Sequence, residues 1–186
     1  MNEHFDLIWN VNTNSSLFTN SNNFFDIINK HRINPKAIGT SITSRKQNSI
    51  LTQPFTLSLY ETFYLYSLNV VIFINNNKDE IEHFKQMYSK RNEDFKYIVY
   101  IDLKKKNYFV NSGIKFGCDF LVYDNDPTIT HSKYLVNCYT KEDKINFKTI
   151  ISNERISVNT KKKLLYAFVN FADLSVEYLN IAWMLI

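Results

Sequence analysis

The chain has 186 residues, of which 45% are hydrophobic and 16% aromatic, and its formal net charge is +4. This length and composition support a hydrophobic core and exclude general disorder. The mildly basic charge fits a small nucleic-acid footprint or one that partners complete, and exposed lysines without any ligand explain it equally well. Cys118 and Cys138 form no CxxC pair, so they predict no zinc site and fit a reduced, intracellular compartment.

The sequence predicts neither a signal peptide nor a transmembrane helix. The N-terminal stretch lacks a basic region followed by an apolar one. The longest apolar runs, Val70–Ile74 and Leu164–Val169, are far too short to span a bilayer. We therefore expect a soluble protein with no membrane segment.

The N-terminal half is predicted to alternate short strands and helices. Phe5–Val11 has the pattern of a strand and Asn22–His31 that of a helix, whereas the polar stretch Ala37–Gln53 predicts a loop with one short strand. Leu57–Leu68 predicts a helix whose start is marked by the capping-box spacing in the run Ser58–Glu61.

Two further elements complete this half. The β-branched content of Val70–Ile74 predicts a buried strand. A long amphipathic stretch from Asp79 to about Leu103 follows, with charged side chains opposite its apolar face.

The predicted boundary between two domains lies near Asp94–Asn107. Lys104–Asn107 has the character of a linker, and Tyr108–Val110 resumes extended structure. We expect a small N-terminal α/β domain at residues 1–100 and a β-rich domain at residues 101–186, in which a mixed sheet is flanked by helices. The order of the elements indicates the α+β class.

The stretch Lys115–Val136 predicts a strand, a loop and a second strand. Alternation places Phe120 and Val122 on one face of the first strand and Leu121 and Tyr123 on the other. Asn125–Pro127 contains turn residues. Tyr123 would end the first strand and His131, eight residues later, would begin the second, so the hairpin brings a phenol and an imidazole to one rim of a sheet.

The remaining C-terminal elements are a helix and two strands. Phe147–Arg155 has a helical pattern, and Leu164–Phe171 and Val176–Ile186 have the apolar content of strands joined by a short turn.

Tyr123, His131 and the triplet Lys161–Lys163 together supply the groups for metal-free RNA cleavage. Cleavage through the RNA's own 2′-hydroxyl needs a base for that hydroxyl, an acid for the leaving 5′-oxygen, and positive charge for the phosphorane. Each residue alone has an ordinary structural explanation, since the chain has four histidines and twelve tyrosines.

A metal-dependent nuclease is the alternative, because Asp119, Asp124 and Asp126 are carboxylates in the same stretch. Asp124 and Asp126 lie at a turn, where Asp is expected for backbone reasons, and no further acidic cluster joins them. The residues favour the metal-free chemistry.

Three motifs follow one another in the C-terminal half. The first is FGCDFLVY, Phe116–Tyr123, preceded by Gly113 and followed after a short loop by His131 and Ser132.

In the second motif, Arg155 is followed seven residues later by Lys162 and then by an apolar strand. The third is an apolar strand, Tyr178–Trp183, that ends in tryptophan. In these motifs the chain resembles the tRNA-splicing endonuclease family.

The resemblance implies a role for each matching residue. Tyr123 would be the general base on the 2′-hydroxyl, His131 the general acid and Lys162 the transition-state stabiliser, although the roles of Tyr123 and His131 could be exchanged. A free tyrosine has a pKa near 10, so Tyr123 needs nearby cations, of which Lys162 is the obvious candidate. Arg155 and Trp183 would clamp a flipped-out bulge base. The products would be a 2′,3′-cyclic phosphate and a 5′-hydroxyl, with no metal or cofactor required.

The N-terminal half resembles one eukaryotic catalytic subunit type of this family, which cuts the 3′ splice site of intron-containing pre-tRNA. The matching positions are Ile38–Thr40, Arg45–Leu51, Pro54 and Glu61. The loop from Asn125 to Ser132 also matches that subunit, with Asn125 where it has glycine.

The resemblance further implies a nuclear heterotetramer of catalytic and structural subunits, with Val176–Ile186 as the strand that pairs with a neighbour. The alternatives are the catalytic subunit for the 5′ splice site, a non-catalytic structural subunit, and an unrelated RNA-binding module.

Overall fold

The computed structural model describes residues 4–18, 29–38 and 55–183. The chain forms two compact units, Met1–Lys90 and Arg91–Ile186. Each unit contains a five-stranded mixed sheet among the described residues, accompanied by helices, so the predicted α+β class is confirmed. No described helix is long and apolar enough to cross a membrane.

The N-terminal unit has a sheet of strand order β3-β4-β2-β1-β5. Its elements are β1 (Phe5–Asn10), β2 (Ser15–Phe18), β3 (Lys36–Ala37), β4 (Phe55–Leu57), α1 (Leu59–Ser67), β5 (Val71–Phe73) and α2 (Lys78–Ser89). Large side chains from these strands and from α1 and α2 fill the core of the unit; Phe5, Trp9, Leu57 and Phe84 are buried.

The predicted start of α1 is confirmed. The Ser58 side chain accepts a hydrogen bond from the Glu61 N–H (3.4 Å), and the Glu61 carboxylate accepts one from the Ser58 N–H (2.8 Å). This reciprocal pair satisfies backbone donors that the first helical turn leaves free. The predicted strand at Phe5–Val11 is confirmed as β1. Most of the predicted helix Asn22–His31 and of the loop Ala37–Gln53 lies outside the described residues.

Two predictions for this half were wrong in detail. Val70–Ile74 is not a buried strand: β5 pairs with β1 at the edge of the described sheet, and Ile72 is 46% exposed. The long amphipathic stretch is two helices, because the Asp94 side chain caps a new helix by accepting the Lys96 N–H at 2.9 Å.

The boundary between the two units lies at Lys90, ahead of this cap, rather than after residue 100. The helix that begins after Asp94 buries Tyr97, Ile98, Val99 and Tyr100 and contacts strands of the second unit, so it belongs with them. Lys104 is buried in its last turn and is not part of a linker.

The C-terminal unit has a sheet of strand order β10-β9-β8-β7-β6. Its elements are α3 (Phe95–Lys105), β6 (Phe109–Ser112), β7 (Phe120–Tyr123), β8 (Tyr134–Thr140), α4 (Phe147–Asn159), β9 (Lys163–Asn170) and β10 (Ser175–Ile181). The strands and the helix predicted for this half are all present, with α4 extending past Arg155. Residues 184–186 of the last predicted strand lie outside the described part of the chain.

The two helices cover opposite faces of this sheet. On one face, Phe120 lies beside Tyr100 of α3, and Tyr178 is hydrogen-bonded to Asp102 of α3. On the other, a core of Cys118, Leu121, Leu135, Leu164 and Tyr166 packs against Ile150 and Ile156 of α4. The alternation predicted for β7 is therefore confirmed, and Tyr123 packs on the α4 side.

Candidate active site

Three strand ends meet at one edge of the C-terminal sheet. Val122 pairs with Tyr134 across antiparallel β7 and β8, and Tyr134 pairs with Lys163 across parallel β8 and β9. Beyond these pairs, the Lys133 N–H donates to the Val122 carbonyl at 2.8 Å, and the Lys163 N–H donates to the Lys133 carbonyl at 3.0 Å. The residues just outside this row, Tyr123 and Lys162, therefore share one edge.

Tyr123 and Lys162 also share one face of the sheet. Tyr123 and Phe116 both pack against the apolar core under α4. The Lys162 ammonium lies 5.7 Å from the centre of the Phe116 ring and donates a hydrogen bond to the Thr160 carbonyl at 3.2 Å. A phenol and a primary amine thus lie at the same edge and on the same face of the sheet.

Burial raises the pKa of the Tyr123 hydroxyl above its usual value of 10.0. Hydrogen bonds with the side chains of Asn111 and Ser132 act in the opposite direction, because they stabilise the phenolate. Asn111 pairs with Leu121 in the register of β6 and β7, which puts it on the Tyr123 face. At neutral pH, Tyr123 of the free chain is a protonated phenol held by two polar neighbours.

His131 lies in the loop between β7 and β8, three residues before β8 begins, and not at the start of that strand as predicted. A turn at Asp126 shapes this loop: its carboxylate accepts the Thr128 N–H at 2.8 Å, and its carbonyl accepts the Thr130 hydroxyl at 2.7 Å. The His131 side chain is exposed, whereas its neighbour Ser132 is buried against Tyr123.

The three proposed catalytic residues lie at one edge of the sheet and do not form a bonded triad. Within the described part of the chain, no hydrogen bond or ion pair joins Tyr123, His131 and Lys162 directly. His131 is connected to Tyr123 through the backbone and hydroxyl of Ser132, and Lys162 approaches from the next strand.

The two glycines of the first motif position β7. A Cβ atom added to Gly113 would lie 2.3 Å from the Cys118 sulfur, so no larger residue fits. Gly117 has φ of 66°, in the left-handed region that glycine adopts without strain. This tight turn holds Phe116 beneath Lys162 and leads directly into the strand that ends at Tyr123.

The aspartates that suggested a metal site have structural partners. Asp119 accepts the Cys138 N–H at 2.8 Å and pairs with Lys96 at 2.6 Å, and Asp124 pairs with Lys133 at 2.8 Å. Among the described residues, no group of three or more His, Cys, Asp or Glu side chains is arranged to hold a metal ion.

Arg155 and Trp183 are both exposed. Ile181 pairs with Leu164, so Trp183, two residues later, lies at the strand edge that also carries Lys162. Arg155 projects from α4 next to Ile156, which packs on the core under that helix. No contact among the described residues joins the two side chains.

The sequence did not predict Asn111 and Ser132 as partners of the Tyr123 hydroxyl, nor Phe116 as the support of Lys162. The motif contained a signal for Ser132, because it directly follows His131. The placement of Asn111 beside Tyr123 depends on the register between β6 and β7, which no local sequence pattern predicts.

Comparison with known proteins supports the family that the sequence motifs resemble. A family model for the tRNA intron endonuclease, catalytic C-terminal domain, matches residues 94–178, beginning at the cap of α3. Similar proteins along most of the chain are tRNA-splicing endonucleases of Saccharolobus islandicus strain L.S.2.15 (31% identity, covering 92% of this chain and 91% of the relative) and of Saccharolobus solfataricus (33%, covering 80% and 82%). That of Sulfolobus acidocaldarius is 32% identical, covering 77% and 81%.

These relatives are archaeal, and they do not distinguish between the eukaryotic subunit types. They do confirm the family inferred from the three sequence motifs. The chain belongs to the tRNA-splicing endonuclease family and is an RNA endonuclease of the tRNA-intron lyase class.

Proposed function

We propose that this chain is the catalytic subunit that cuts pre-tRNA at the 3′ splice site. The observation that carries the catalytic assignment is the placement of Tyr123 and Lys162 on one face of one sheet edge, with the His131 loop beside them. The choice of splice site rests on the N-terminal positions and on the Asn125–Ser132 loop, which resemble one eukaryotic catalytic subunit.

The reaction is an attack of a ribose 2′-hydroxyl on its own 3′-phosphate. Tyr123 removes the proton of the 2′-hydroxyl, and the oxygen attacks phosphorus. The P–O bond to the 5′-oxygen breaks as His131 delivers a proton to it, while Lys162 stabilises the charge of the phosphorane. The products are a 2′,3′-cyclic phosphate and a 5′-hydroxyl, and the protons balance without a metal ion.

The raised pKa of Tyr123 sets a condition on this mechanism. A base must be deprotonated when it acts, and a buried phenol resists this. Lys162 supplies the positive charge that favours the phenolate once the bound RNA excludes water from the edge. The exchanged assignment, in which Tyr123 is the acid and His131 the base, is supported by the same raised pKa, because it keeps the phenol protonated.

Substrate binding and assembly complete the proposal. Arg155 and Trp183 are exposed and free to hold a flipped-out base, the first by cation–π contact and the second by stacking. The β10 edge offers Ser175–Ile181 for strand pairing with another subunit of a heterotetramer. The resemblance to a eukaryotic subunit supports a nuclear location for this assembly.

Purification of the tagged chain with its partners, followed by assay on an intron-containing pre-tRNA, tests the proposal. We expect the assembly to release the intron and His131→Ala to remove the 3′ cut while the 5′ cut continues. Loss of the 5′ cut instead would identify the other catalytic subunit. Unchanged cleavage at both sites would identify a structural subunit and refute the proposal.

A further inference from the structure

The face of the C-terminal sheet opposite Tyr123 carries a groove at the same strand edge. The groove has a volume of about 330 Å³ and an apolar floor that includes Leu103 and Leu165. This volume lies at the small end of the range for ligand sites, roughly 300–1,000 Å³. The groove is lined by Tyr108, Tyr134 and Tyr178, and Lys106 and Lys163 lie among them.

The aromatic side chains of the groove are held in place. The rings of Tyr108 and Tyr134 meet edge to face with centres 6.1 Å apart. The Tyr178 hydroxyl donates to the Asp102 carboxylate at 2.6 Å, and the Lys106 ammonium lies 5.0 Å from the centre of the Tyr178 ring. Because these contacts fix the rings, a planar ligand can stack on them without first ordering them.

Among the described residues that line the groove, one lysine has no ion-pair partner in the described part of the chain. Lys106 is paired with Asp102, and Lys133, which lies over the Tyr134 ring, is paired with Asp124. Lys163 has an exposed side chain and forms no ion pair among the described residues. Its register partner is Tyr134, so its ammonium borders the aromatic wall.

Lys162 and Lys163 point to opposite faces of the sheet. Lys162 lies over Phe116 on the α4 side, whereas Lys163 lines the groove on the α3 side. An RNA strand that crosses this edge therefore meets a cation on each side of it. The family motif includes only Lys162 of the triplet Lys161–Lys163. Lys163 lines the groove on the opposite face.

We infer that the groove binds one unpaired nucleotide of the pre-tRNA next to the cleaved bond, with its base against Tyr134 and Tyr178 and its phosphate at Lys163. This deepens, and rests on, the proposed function, since it takes the Tyr123 edge as the place of cleavage. Tyrosine rings around an apolar floor with an exposed lysine at the rim match the stacking surfaces and basic contacts that hold single-stranded RNA. A groove of this size is too small for a partner helix.

The test is binding of an intron-containing pre-tRNA that carries a 2′-deoxy nucleotide at the cleaved position and cannot react. Dissociation constants are measured for the purified assembly over a range of salt concentrations. Two pairs of variants are compared: Lys163→Gln with Lys105→Gln, a neighbouring exposed lysine outside the groove, and Tyr134→Leu with Tyr134→Phe, which retains the ring.

We expect Lys163→Gln to weaken binding and to reduce the slope of log K against log salt by about 0.7–0.9. Tyr134→Leu should weaken binding about 10-fold without changing that slope, because stacking is lost rather than a phosphate contact. Lys105→Gln and Tyr134→Phe should bind like the unaltered assembly.

Unchanged affinity and slope for both Lys163→Gln and Tyr134→Leu would overturn the inference. A change in the oligomeric state with RNA binding intact would also overturn it, because the groove would then hold protein. If Tyr134→Leu does not fold, Lys163→Gln at its exposed site decides alone. Normal cleavage by Tyr123→Phe would refute the proposed function, whereas binding to the unreactive RNA is measured independently of it.

Discussion

The ammonium group of Lys162 lies 5.7 Å from the centre of the Phe116 ring. Phe116 belongs to the turn that leads into β7, and Lys162 precedes β9, so this contact joins the two parts of the chain that carry the proposed catalytic groups. Tyr123, at the end of β7, packs on the same apolar core. The core under α4 therefore supports both Tyr123 and the ring that Lys162 covers.

Lys162 and its neighbour Lys161 should differ sharply in their importance. We expect Lys162→Gln to lower the single-turnover cleavage rate by about 10²–10³, the usual effect of removing one transition-state donor. Lys161→Asn is the matched control: it removes a charge at a position with φ of 54°, which Asn adopts readily, and should cleave normally. Equal loss in both variants would show that the lysines act only through general charge.

The Tyr123 pKa should depend on Ser132. The hydrogen bond with Ser132 lowers this pKa, so Ser132→Ala should raise it further above 10. The phenol of the variant would then remain protonated to a higher pH than in the unaltered chain. Carbon-13 NMR of labelled tyrosine, with Tyr123→Phe to assign the signal, measures the shift. A lower or unchanged pKa in Ser132→Ala would contradict the geometry described for this hydroxyl.

A substrate whose leaving 5′-oxygen is replaced by sulfur can show which residue is the general acid. A thiolate leaves without a proton, so this substrate makes the acid dispensable. We expect it to restore cleavage by His131→Ala and not by Tyr123→Phe. The opposite pattern would assign the acid to Tyr123. The dependence of the rate on pH is a weaker probe. Whichever of Tyr123 and His131 is the acid, the active pair carries one proton, so both assignments predict the same pH profile.

Replacing Gly113 or Gly117 by alanine should lower the free energy of unfolding by different amounts. Gly113→Ala places a methyl group 2.3 Å from the Cys118 sulfur and 2.8 Å from its carbonyl oxygen, and should lower the free energy of unfolding by about 1–3 kcal/mol or more. Among the described residues, a Cβ at Gly117 would contact only Ile156, at an ordinary 3.8 Å, so the cost of Gly117→Ala comes from its positive φ and is about 1–2 kcal/mol.

Denaturant unfolding of both glycine variants checks this order. Adding Cys118→Ala to Gly113→Ala should restore part of the loss, because it removes the sulfur and leaves the carbonyl clash. A Gly117→Ala variant less stable than Gly113→Ala would contradict the packing described for the turn.

Local patterns predicted much of this structure. The cap of α1 and the alternation along β7 could be predicted because both depend on residues a few positions apart. The break between α2 and α3 at Asp94 could not be predicted, because an acidic residue inside an amphipathic stretch also fits a continuous helix. The exposure of β5 depends on its place at the sheet edge, and the partners of Tyr123 depend on the register of β6 and on the path of the His131 loop. These are tertiary properties that no window of sequence contains.

The most direct test of the metal-free mechanism is cleavage of an intron-containing pre-tRNA by the purified assembly in excess EDTA, with analysis of the RNA ends. We expect full activity in EDTA, a 2′,3′-cyclic phosphate and a 5′-hydroxyl at the 3′ splice site, and loss of that cut alone in Lys162→Gln. Cleavage that stops in EDTA and returns with Mg²⁺, or that leaves 5′-phosphate ends, would contradict it.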